Sequence, residues 1–393
     1  MADVRAPFLE ASEASRYYPE GVRKQPLPSL PVPSWKARRS VFGMILALAI
    51  IGAVVGIVVS IEAKKSNKSD AKSDSASGAG ASSNGTVAAR SNAGVAAVNW
   101  NVSTGQQVRL YIQKVDGFVY EAVSDESSNW SLDTTKLFQA TPGTPLTAVA
   151  LAPSQIHLYY LDISNMLQEY IYNNSQWATG VTPLPSTNIA PNTSLASTTW
   201  TDPSAVQQIR LYYQKRDNTI QELVYTTGSA WSSGHSFTDQ AYPGTGLGAF
   251  ATHANDILDT RVYWQANDLT LNEYFHVTQP DSWSRSTLQW SAAPSSGIAA
   301  AAWPDPSGNP NIRLYYENIA GNVEEISYGD TSGSGGNPSP PTNTIVGFQA
   351  PISATLWVNE TDVEIRTYAK SNSSNTRTEF AYSGGWTSKD LGF

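Results

Sequence analysis

The stretch IRLYYQKRDNTIQELVYTTGSAW, residues 209–231, decides the fold. Its apolar and polar residues alternate up to a turn at RDN (216–218) and alternate again after it. This pattern predicts two β-strands joined as a hairpin. Arg210 precedes Glu222 by twelve residues, and Trp231 follows nine residues later. Because the same spacing returns along the chain, the stretch predicts one unit of a repeat protein.

Six repeats align on a triplet that reads Arg-x-Tyr in five of them and His-x-Tyr in the second. Successive repeats are 48, 53, 51, 52 and 53 residues apart. A glutamate lies twelve residues after the arginine or histidine in five repeats and thirteen in the last, and a tryptophan follows seven to ten residues later. Only the fifth repeat lacks that tryptophan and reads GDTSGSGG instead. The aligned residues are Arg109, Glu121 and Trp130; His157, Glu169 and Trp177; Arg210, Glu222 and Trp231; Arg261, Glu273 and Trp283; Arg313 and Glu325; and Arg366, Glu379 and Trp386.

Each repeat also begins with a strand of small residues, as in AAVNW, LASTTW, AAAAW and SATLW. A repeat therefore contains four short strands in about fifty residues, which is typical of one blade of a β-propeller. Alanine and serine on the first strand suit the crowded hub of such a ring. The sequence predicts an all-β, six-bladed propeller of four-stranded antiparallel blades over residues 93–393.

The repeated arginine and glutamate indicate a binding site. In a hairpin with a short turn, residues twelve apart lie nearly opposite each other on neighbouring strands. Guanidinium groups donate hydrogen bonds and carboxylates accept them, and a sugar with adjacent hydroxyls needs both. A nearby indole can pack on the apolar face of the sugar. The alternative is a structural salt bridge in each blade with a tryptophan in the core. The cost of a buried ion pair favours a solvent-accessible, ligand-facing pair.

The stretches IRLYYQKRDNTIQELVY and NIRLYYENIAGNVEEISY resemble the repeat of the fungal fucose-specific lectin family. The resemblance covers about three quarters of the chain and implies L-fucose sites between the blades of a six-bladed propeller. It implies that an arginine and a glutamate of one blade hydrogen-bond the sugar, and that aromatic residues of the same and adjacent blades close the pocket. The fucose-binding residues it implies are Arg109, Glu121, Trp130, Glu169, Trp177, Arg210, Glu222, Trp231, Arg261, Glu273, Trp283, Arg313, Glu325, Arg366, Glu379 and Trp386.

The repeats differ in two ways that predict unequal sites. His157 replaces arginine in the second repeat and lacks the planar fork of donors. The fifth repeat keeps Arg313 and Glu325 but has no tryptophan after the glutamate. The third repeat is the most complete in sequence. We therefore expect fewer than six working sites, with the third repeat among the strongest.

Two other classes of function stay open: a propeller glycoside hydrolase and a non-catalytic, protein-binding scaffold. The sequence contains no S-x-D-x-G-x-T-W, G-x-S-x-G, H-E-x-x-H, phosphate-binding loop or G-x-G-x-x-G motif. The four histidines show no metal-ligand spacing, and no WD dipeptide marks a scaffold propeller. One carboxylate per blade suits repeated binding sites better than a single acid/base pair. We expect no enzyme activity, no metal and no cofactor.

The composition argues against a nucleic-acid partner. The chain of 393 residues has a formal charge of −8, and no run of lysine or arginine is interleaved with aromatics. The absence of cysteine removes disulfides and thiolate chemistry.

Residues 41–61, VFGMILALAIIGAVVGIVVSI, contain no charge and predict a single transmembrane helix. A helix of this length spans about 31 Å, which matches a bilayer core of about 30 Å. A cleaved signal peptide is disfavoured because about forty residues precede the segment. We interpret residues 1–40 as a disordered cytoplasmic tail and residues 62–92 as a Ser/Ala/Gly-rich stalk. The bilayer is thus an expected partner.

The topology prediction is a type II, single-pass membrane glycoprotein with the propeller on the lumenal or extracellular side. Positive charge favours a cytoplasmic N-terminus by a narrow margin, with Arg23, Lys24, Lys36, Arg38 and Arg39 before the segment and Lys64, Lys65, Lys68 and Lys72 after it. Glycosylation sequons all follow the segment, at Asn67, Asn84, Asn101, Asn129, Asn173, Asn192, Asn359 and Asn372. Gly52 and Gly56 form a G-x-x-x-G motif that predicts a homodimer, unless it reflects only the abundance of glycine in membrane helices.

Overall fold

The computed structural model describes residues 94–393, except for short stretches at 103–104, 126–128, 153–154, 181–182, 255–256, 279–280, 330–340, 342–345, 347–348, 359–361 and 372–375. The predicted tail, membrane helix and stalk at 1–92, with Gly52 and Gly56, lie outside these residues. Within the part of the chain described, no helix is long and apolar enough to cross a membrane.

The described residues form six antiparallel sheets, one for each sequence repeat. We number these blades 1 to 6 in chain order. Blade 1 contains β1 (Val95–Val102), β2 (Gly105–Gln113), β3 (Phe118–Ser124), β4 (Trp130–Leu132) and β5 (Phe138–Gln139); blade 2 contains β6 (Leu146–Ala152), β7 (Gln155–Leu161), β8 (Leu167–Asn173) and β9 (Gln176–Thr179); blade 3 contains β10 (Leu195–Thr201), β11 (Gln207–Gln214), β12 (Ile220–Thr226) and β13 (Ser232–Ser236); blade 4 contains β14 (Gly248–Ala254), β15 (Ile257–Gln265), β16 (Thr270–Thr278) and β17 (Asp281–Ser291); blade 5 contains β18 (Ile298–Pro304), β19 (Pro310–Glu317) and β20 (Val323–Tyr328); and blade 6 contains β21 (Ile352–Val358), β22 (Val363–Lys370), β23 (Arg377–Ser383) and β24 (Trp386–Asp390).

The predicted six-bladed propeller is confirmed, with two local differences in strand number. Blade 1 has a fifth short strand, because β5 pairs with the start of β3. Blade 5 shows three strands among the described residues, and residues 330–340, where its fourth strand was predicted, lie outside them.

The first strands of the blades form a closed hub. Each first strand contacts those of its two neighbours, and β1 contacts β21, which joins blade 1 to blade 6. Small residues are needed there: a Cβ added to Gly248 of β14 would come within 3.1 Å of the backbone of Ala299 and Ala300 in β18. Ala97 N–H donates to Ser353 Oγ at 3.0 Å across the closing contact. The expected crowding explains the alanine, serine and glycine of the first strands.

The hydrophobic core consists of six clusters, each lying between two neighbouring blades. The cluster between blades 6 and 1 joins Val95 and Leu110 to Tyr368 and the C-terminal Phe393. The tyrosine that ends the triplet of each repeat is buried in one of the clusters. These tyrosines are Tyr111, Tyr159, Tyr212, Tyr263, Tyr315 and Tyr368. Packing between neighbouring blades therefore fixes the position of each of these tyrosines.

Candidate binding pockets between the blades

The second and third strands of each blade bring the repeated arginine, tyrosine and glutamate to one face. In blade 3, Tyr212 is the direct cross-strand partner of Glu222, and Arg210 lies two residues further along β11, opposite Val224. Alternation along a strand puts Arg210, Tyr212 and Glu222 on the same side of the sheet. The arginine is thus a diagonal neighbour of the glutamate rather than its opposite partner.

The tyrosine hydroxyl is the main support of the glutamate. Tyr212 Oη donates to Glu222 Oε1 at 2.9 Å, and His235 N donates to Glu222 Oε2 at 3.0 Å. Burial, reinforced by the charge of Glu222, holds the pKa of Tyr212 well above its ordinary value, so the hydroxyl keeps its proton. The same Tyr–Glu hydrogen bond is present in blades 1, 5 and 6, at 2.9, 2.7 and 3.0 Å. Sequence reasoning used these tyrosines for alignment only, although their presence in all six repeats was a signal.

The Arg–Glu pairs are more buried than expected. The sequence favoured solvent-accessible pairs, because burying an ion pair is costly. The side chains of the four arginines in Arg–Glu pairs are 13–19% exposed, and their glutamate partners are 7–12% exposed. Hydrogen bonds from the tyrosines make this burial tolerable, because a buried carboxylate is stable when its oxygens are satisfied.

The distance from arginine to glutamate differs among the blades. The two side chains are hydrogen-bonded in blades 1 and 4, where Arg109 lies 2.9 Å from Glu121 and Arg261 lies 3.1 Å from Glu273. In blade 3 the closest approach is 3.8 Å, from Arg210 Nε to Glu222 Oε1. In blade 5 it is 3.7 Å. In blade 6, Arg366 instead pairs with Glu364 at 3.0 Å.

The pKa values of Arg210 and Arg261 shift in opposite directions, in line with their different distances from the repeat glutamate. Burial lowers the pKa of Arg210, and the charge of the more distant Glu222 offsets this only in part. Burial also lowers the pKa of Arg261, but hydrogen bonding to Asp259 and nearby negative charge outweigh it, so the net shift is upward. Arg261 pairs with two carboxylates of its own blade, Asp259 and Glu273.

In blade 2 the histidine takes the place of the arginine without reaching solvent. His157 Nδ1 and Glu169 Oε1 are hydrogen-bonded at 2.8 Å, and their side chains are 3% and 5% exposed. The histidine is thus more enclosed than the arginines of the Arg–Glu pairs, which are 13–19% exposed.

The tryptophans meet the Tyr–Glu pair of the preceding blade, not of their own. Trp283 of blade 4 lies edge-on to Tyr212 of blade 3, with ring centroids 6.4 Å apart. The same edge-on contact joins Trp177 to Tyr111, Trp231 to Tyr159, Trp386 to Tyr315 and Trp130 to Tyr368, at 5.6–6.0 Å. Each pocket is therefore built by two successive repeats.

This offset changes the pocket to which each tryptophan belongs. Trp231 faces the blade 2 pair of His157 and Glu169, while Arg210 and Glu222 receive Trp283. The fifth repeat lacks the tryptophan after its glutamate, but its own Arg313 and Glu325 receive Trp386 of blade 6. The pocket without this indole is that of Arg261 and Glu273 in blade 4. The alignment of single repeats does not show which faces of neighbouring blades oppose each other, so it could not assign each tryptophan to a pocket.

A second aromatic ring of the following blade enlarges the wall. Tyr172 and Trp177 lie 5.3 Å apart on β8 and β9, and the Arg109 guanidinium lies 4.6 Å from the Tyr172 ring. Tyr225 with Trp231, His276 with Trp283, and Tyr382 with Trp386 repeat the arrangement at 5.3–5.4 Å. Each complete pocket thus combines donors and an acceptor from one blade with flat apolar surface from the next.

Blade 6 shows an open cavity at this position. A volume of about 290 Å³ lies beside Arg366 and Glu379 and is also lined by Lys389 and Thr387. In the described part of the chain, no group of three or more His, Cys, Asp or Glu side chains is placed to hold a metal ion. The site chemistry is that of hydrogen bonding and aromatic packing.

The fold and these pockets define a six-bladed propeller with a repeated site between its blades. A family model described as fungal fucose-specific lectin matches residues 243–392. The fucose-specific lectin of Aleuria aurantia is 31% identical over 263 residues, which cover 64% of this chain and 80% of that protein. The fucose-specific lectin of Aspergillus oryzae is 29% identical over 242 residues, which cover 60% and 75%. The chain belongs to the fungal fucose-specific lectin family.

Solved structures agree with this assignment. The crystal structure of the Aleuria aurantia lectin, described as a six-bladed β-propeller, superposes with a TM-score of 0.66 at 27% identity, covering 77% of this chain and 97% of that one. A mutant of the same lectin in complex with α-methyl-L-fucoside gives a TM-score of 0.67 at 27% identity, covering 78% and 98%.

Proposed function

We propose that the protein is a lectin that binds L-fucose-containing glycans in the pockets between its blades, without chemical turnover. The observation that carries the proposal is the pocket of blades 3 and 4, where Arg210, Tyr212 and Glu222 face Trp283. The guanidinium offers donors and the carboxylate retains acceptor lone pairs, which suits adjacent sugar hydroxyls. The indole offers a flat apolar surface to the sugar ring and its methyl group.

The family relationship supports a binding role over the alternatives. The matched relatives are named as fucose-specific lectins, and one of them is described in complex with a fucoside. Lectins bind sugars without cleaving them, so neither the hydrolase nor the protein-binding scaffold is favoured.

The geometry supports three pockets as the strongest sites: those of Arg210, Arg313 and Arg366. In the first two the closest approach of the arginine to its repeat glutamate is 3.8 and 3.7 Å, and in the third Arg366 pairs with Glu364. Each of the three receives an indole from the following blade. The pocket of blade 2 has the enclosed His157–Glu169 pair, and that of blade 4 lacks the indole. In the blade 1 pocket, Arg109 is engaged by Glu121.

Titration calorimetry of the full-length chain in detergent with α-methyl-L-fucoside tests the proposal. We expect saturable binding with about three tight sites, no binding of α-methyl-D-glucoside as a control, and no release of nitrophenol from a nitrophenyl fucoside. Hydrolysis of that reporter, or absence of fucoside binding by a folded chain, would contradict the lectin function.

Repeated sites on one ring should favour clustered ligands. Linking binding events raises the effective concentration of the second site, and avidity then exceeds single-site affinity by about 10²–10⁴. The protein should therefore prefer a densely fucosylated surface over free fucoside by that factor. Equal apparent affinity for both would contradict the multivalent interpretation.

We also propose that residues 41–61 anchor the propeller to a membrane as a type II, single-pass glycoprotein with a lumenal or extracellular lectin domain. The uninterrupted apolar run supports the anchor, and Gly52 with Gly56 supports pairing of two such helices. Three sequon asparagines, Asn129, Asn173 and Asn192, are exposed and accessible to glycosylation.

Endoglycosidase treatment of the expressed protein should lower its apparent mass, and alkaline carbonate should leave it in the membrane fraction. An unchanged mass with protease protection of residues 1–40 alone would reverse the topology.

A further inference from the structure

One position in the wall of the pockets differs in size among the blades. It lies on the third strand, three residues after the repeat glutamate. Strand alternation therefore turns its side chain away from the glutamate's face and towards the preceding blade. A tyrosine occupies this position in blades 2, 3, 5 and 6, a histidine in blade 4 and a serine in blade 1. We call it the cap position, and in blade order its residues are Ser124, Tyr172, Tyr225, His276, Tyr328 and Tyr382.

In two pockets the cap tyrosine reaches the repeat arginine or histidine of the preceding blade. Tyr172 of blade 2 is the cross-strand partner of Trp177, and its ring lies 4.6 Å from the guanidinium of Arg109 in blade 1. In the next pocket, the ring of Tyr225 lies 6.3 Å from the imidazole of His157. A tyrosine at the cap position thus covers one end of the pocket, beside the wall tryptophan.

The serine of blade 1 leaves that end uncovered. Ser124 is the cross-strand partner of Trp130, whose indole contacts Glu379 of blade 6, so it holds the cap position for the pocket of Arg366. Its hydroxyl is turned to its own blade: Val108 N–H donates to Ser124 Oγ at 3.1 Å, and Oγ donates to the Val108 carbonyl at 3.3 Å. The serine side chain therefore does not extend over Arg366.

The space beside Arg366 agrees with this difference. Among the described residues, the cavity of about 290 Å³ at this position is lined by blade 6 alone. The hydroxyl groups of Ser383 and Thr387 belong to that lining, and both retain acceptor lone pairs after donating their own hydrogen bonds. The pocket of blades 6 and 1 therefore offers both room and hydrogen-bond partners beyond those that one sugar ring needs.

The extra room matters because the fucose of a glycan is linked to another sugar, which can carry a second branch. A ring at the cap position would collide with such a branch, and a collision rejects a ligand even where the fucose itself fits. A small fucoside avoids the collision. Pockets with a tyrosine and pockets with a serine at the cap position should therefore differ in the glycans they accept.

We propose that Ser124 is a specificity-determining residue that opens the pocket of blades 6 and 1 to fucose on a branched glycan. A tyrosine at the cap position restricts the pockets of blades 1, 2, 4 and 5 to fucose without a neighbouring branch. The proposal rests on the lectin function proposed above.

The test uses the full-length chain in detergent and two ligands. One is α-methyl-L-fucoside, and the other is the Lewis x trisaccharide, in which galactose and fucose are attached to the same N-acetylglucosamine. Ser124→Tyr closes the cap position, and Ser124→Ala is its control, because it removes the hydrogen bonds to Val108 without adding a ring. Tyr382→Ser opens the pocket of Arg313, and Tyr242→Ser is its control, because Tyr242 lies in the linker between β13 and β14.

Calorimetry should give opposite results for the two cap variants. Ser124→Tyr should weaken the tight trisaccharide site of blade 6 by about tenfold or more and change fucoside binding by less than about threefold. Ser124→Ala should bind both ligands as the original chain does. Tyr382→Ser should add one tight trisaccharide site, and Tyr242→Ser should add none. If Ser124→Tyr does not fold, the gain of a site in Tyr382→Ser decides the question.

The outcomes separate the two proposals. If the original chain is folded and binds no fucoside, the lectin function is wrong. If it binds fucoside and neither cap variant changes trisaccharide binding, the lectin function stands and the role of Ser124 is overturned. Equal loss of the trisaccharide site in Ser124→Ala and Ser124→Tyr would also overturn it, because the hydroxyl and not the open space would then be responsible.

Discussion

Trp130 donates its indole N–H to Glu379 Oε2 at 3.2 Å, although 249 residues separate the two in the chain. Trp130 belongs to blade 1 and Glu379 to blade 6, so this hydrogen bond spans the closure of the ring. The same indole lies edge-on to Tyr368, which also donates to Glu379 Oε2. Closing the propeller and completing the sixth pocket are therefore the same structural event.

Replacing wall tryptophans should show that each pocket is shared between repeats. Trp283→Ala should remove the fucoside site of Arg210 and Glu222, because Trp283 forms its aromatic wall. Trp231→Ala should leave that site intact. Trp231 is 6% exposed, so its loss should instead destabilise the fold by about 3–5 kcal/mol. Calorimetry and thermal melting measure the two effects, and loss of the Arg210 site in Trp231→Ala would favour pockets built from single repeats.

The buried tyrosine hydroxyl should matter to both stability and binding. In Tyr212→Phe, Glu222 Oε1 loses a hydrogen bond in an enclosed position, which should cost about 1–3 kcal/mol. The freed carboxylate should then turn toward Arg210 and weaken one sugar site. Tyr213→Phe is the control, because that hydroxyl contacts the backbone of Thr187 away from the pocket. Similar fucoside affinity in both variants would show that the Tyr212 hydroxyl has no part in binding.

The histidine of blade 2 should be important for stability and irrelevant to sugar binding. In His157→Ala, Glu169 would lose its 2.8 Å partner while staying buried, which should destabilise the fold by about 3–5 kcal/mol. The number of fucoside sites measured at a temperature where the variant is folded should not change. A lost site would mean that blade 2 binds sugar through His157.

Glu317 should make the stability of the propeller depend on pH. Blades 1, 3 and 4 place a buried glutamine at this position, and Gln265 Nε2 donates to the Ala292 and Ala293 carbonyls while its Oε1 accepts from Ser295 N. An ionised glutamate has no N–H or O–H to donate in this way. Burial raises the pKa of Glu317 from 4.5 to about 7.

The sign of the effect follows from the raised pKa. The folded protein binds this proton more tightly than the unfolded chain, so stability is highest below the unfolded pKa and falls as the pH rises towards 7. A shift of this size corresponds to about 3 kcal/mol. Glu317→Gln should therefore raise the melting temperature much more at pH 8 than at pH 4.5. Gln265→Glu, the reciprocal change, should introduce a new loss of stability at pH 8; an equal response of Glu317→Gln at both pH values would contradict the prediction.

Sequence spacing was enough to predict the architecture because a propeller is built from local hairpins. The steps of 48 to 53 residues gave the number of blades, and strand alternation placed Arg210 and Glu222 on one face. The small residues of the first strands predicted the hub. These features depend on contacts within a repeat or on the period of the repeats, so they can be predicted from the sequence.

The composition of each pocket was decided by the tertiary structure. Trp283 faces Arg210 because opposite faces of neighbouring blades meet across the core, and no spacing within one repeat reveals that pairing. The Arg210 guanidinium lies over the Trp200 ring, and Arg261 hydrogen-bonds Asp259. The spacing of residues in a repeat does not show which of several nearby groups each guanidinium contacts. The sequence by itself determined the ring, the faces of its strands and the types of binding residue. The packing between blades determined which residues share a pocket, because those contacts arise only when neighbouring blades pack against each other.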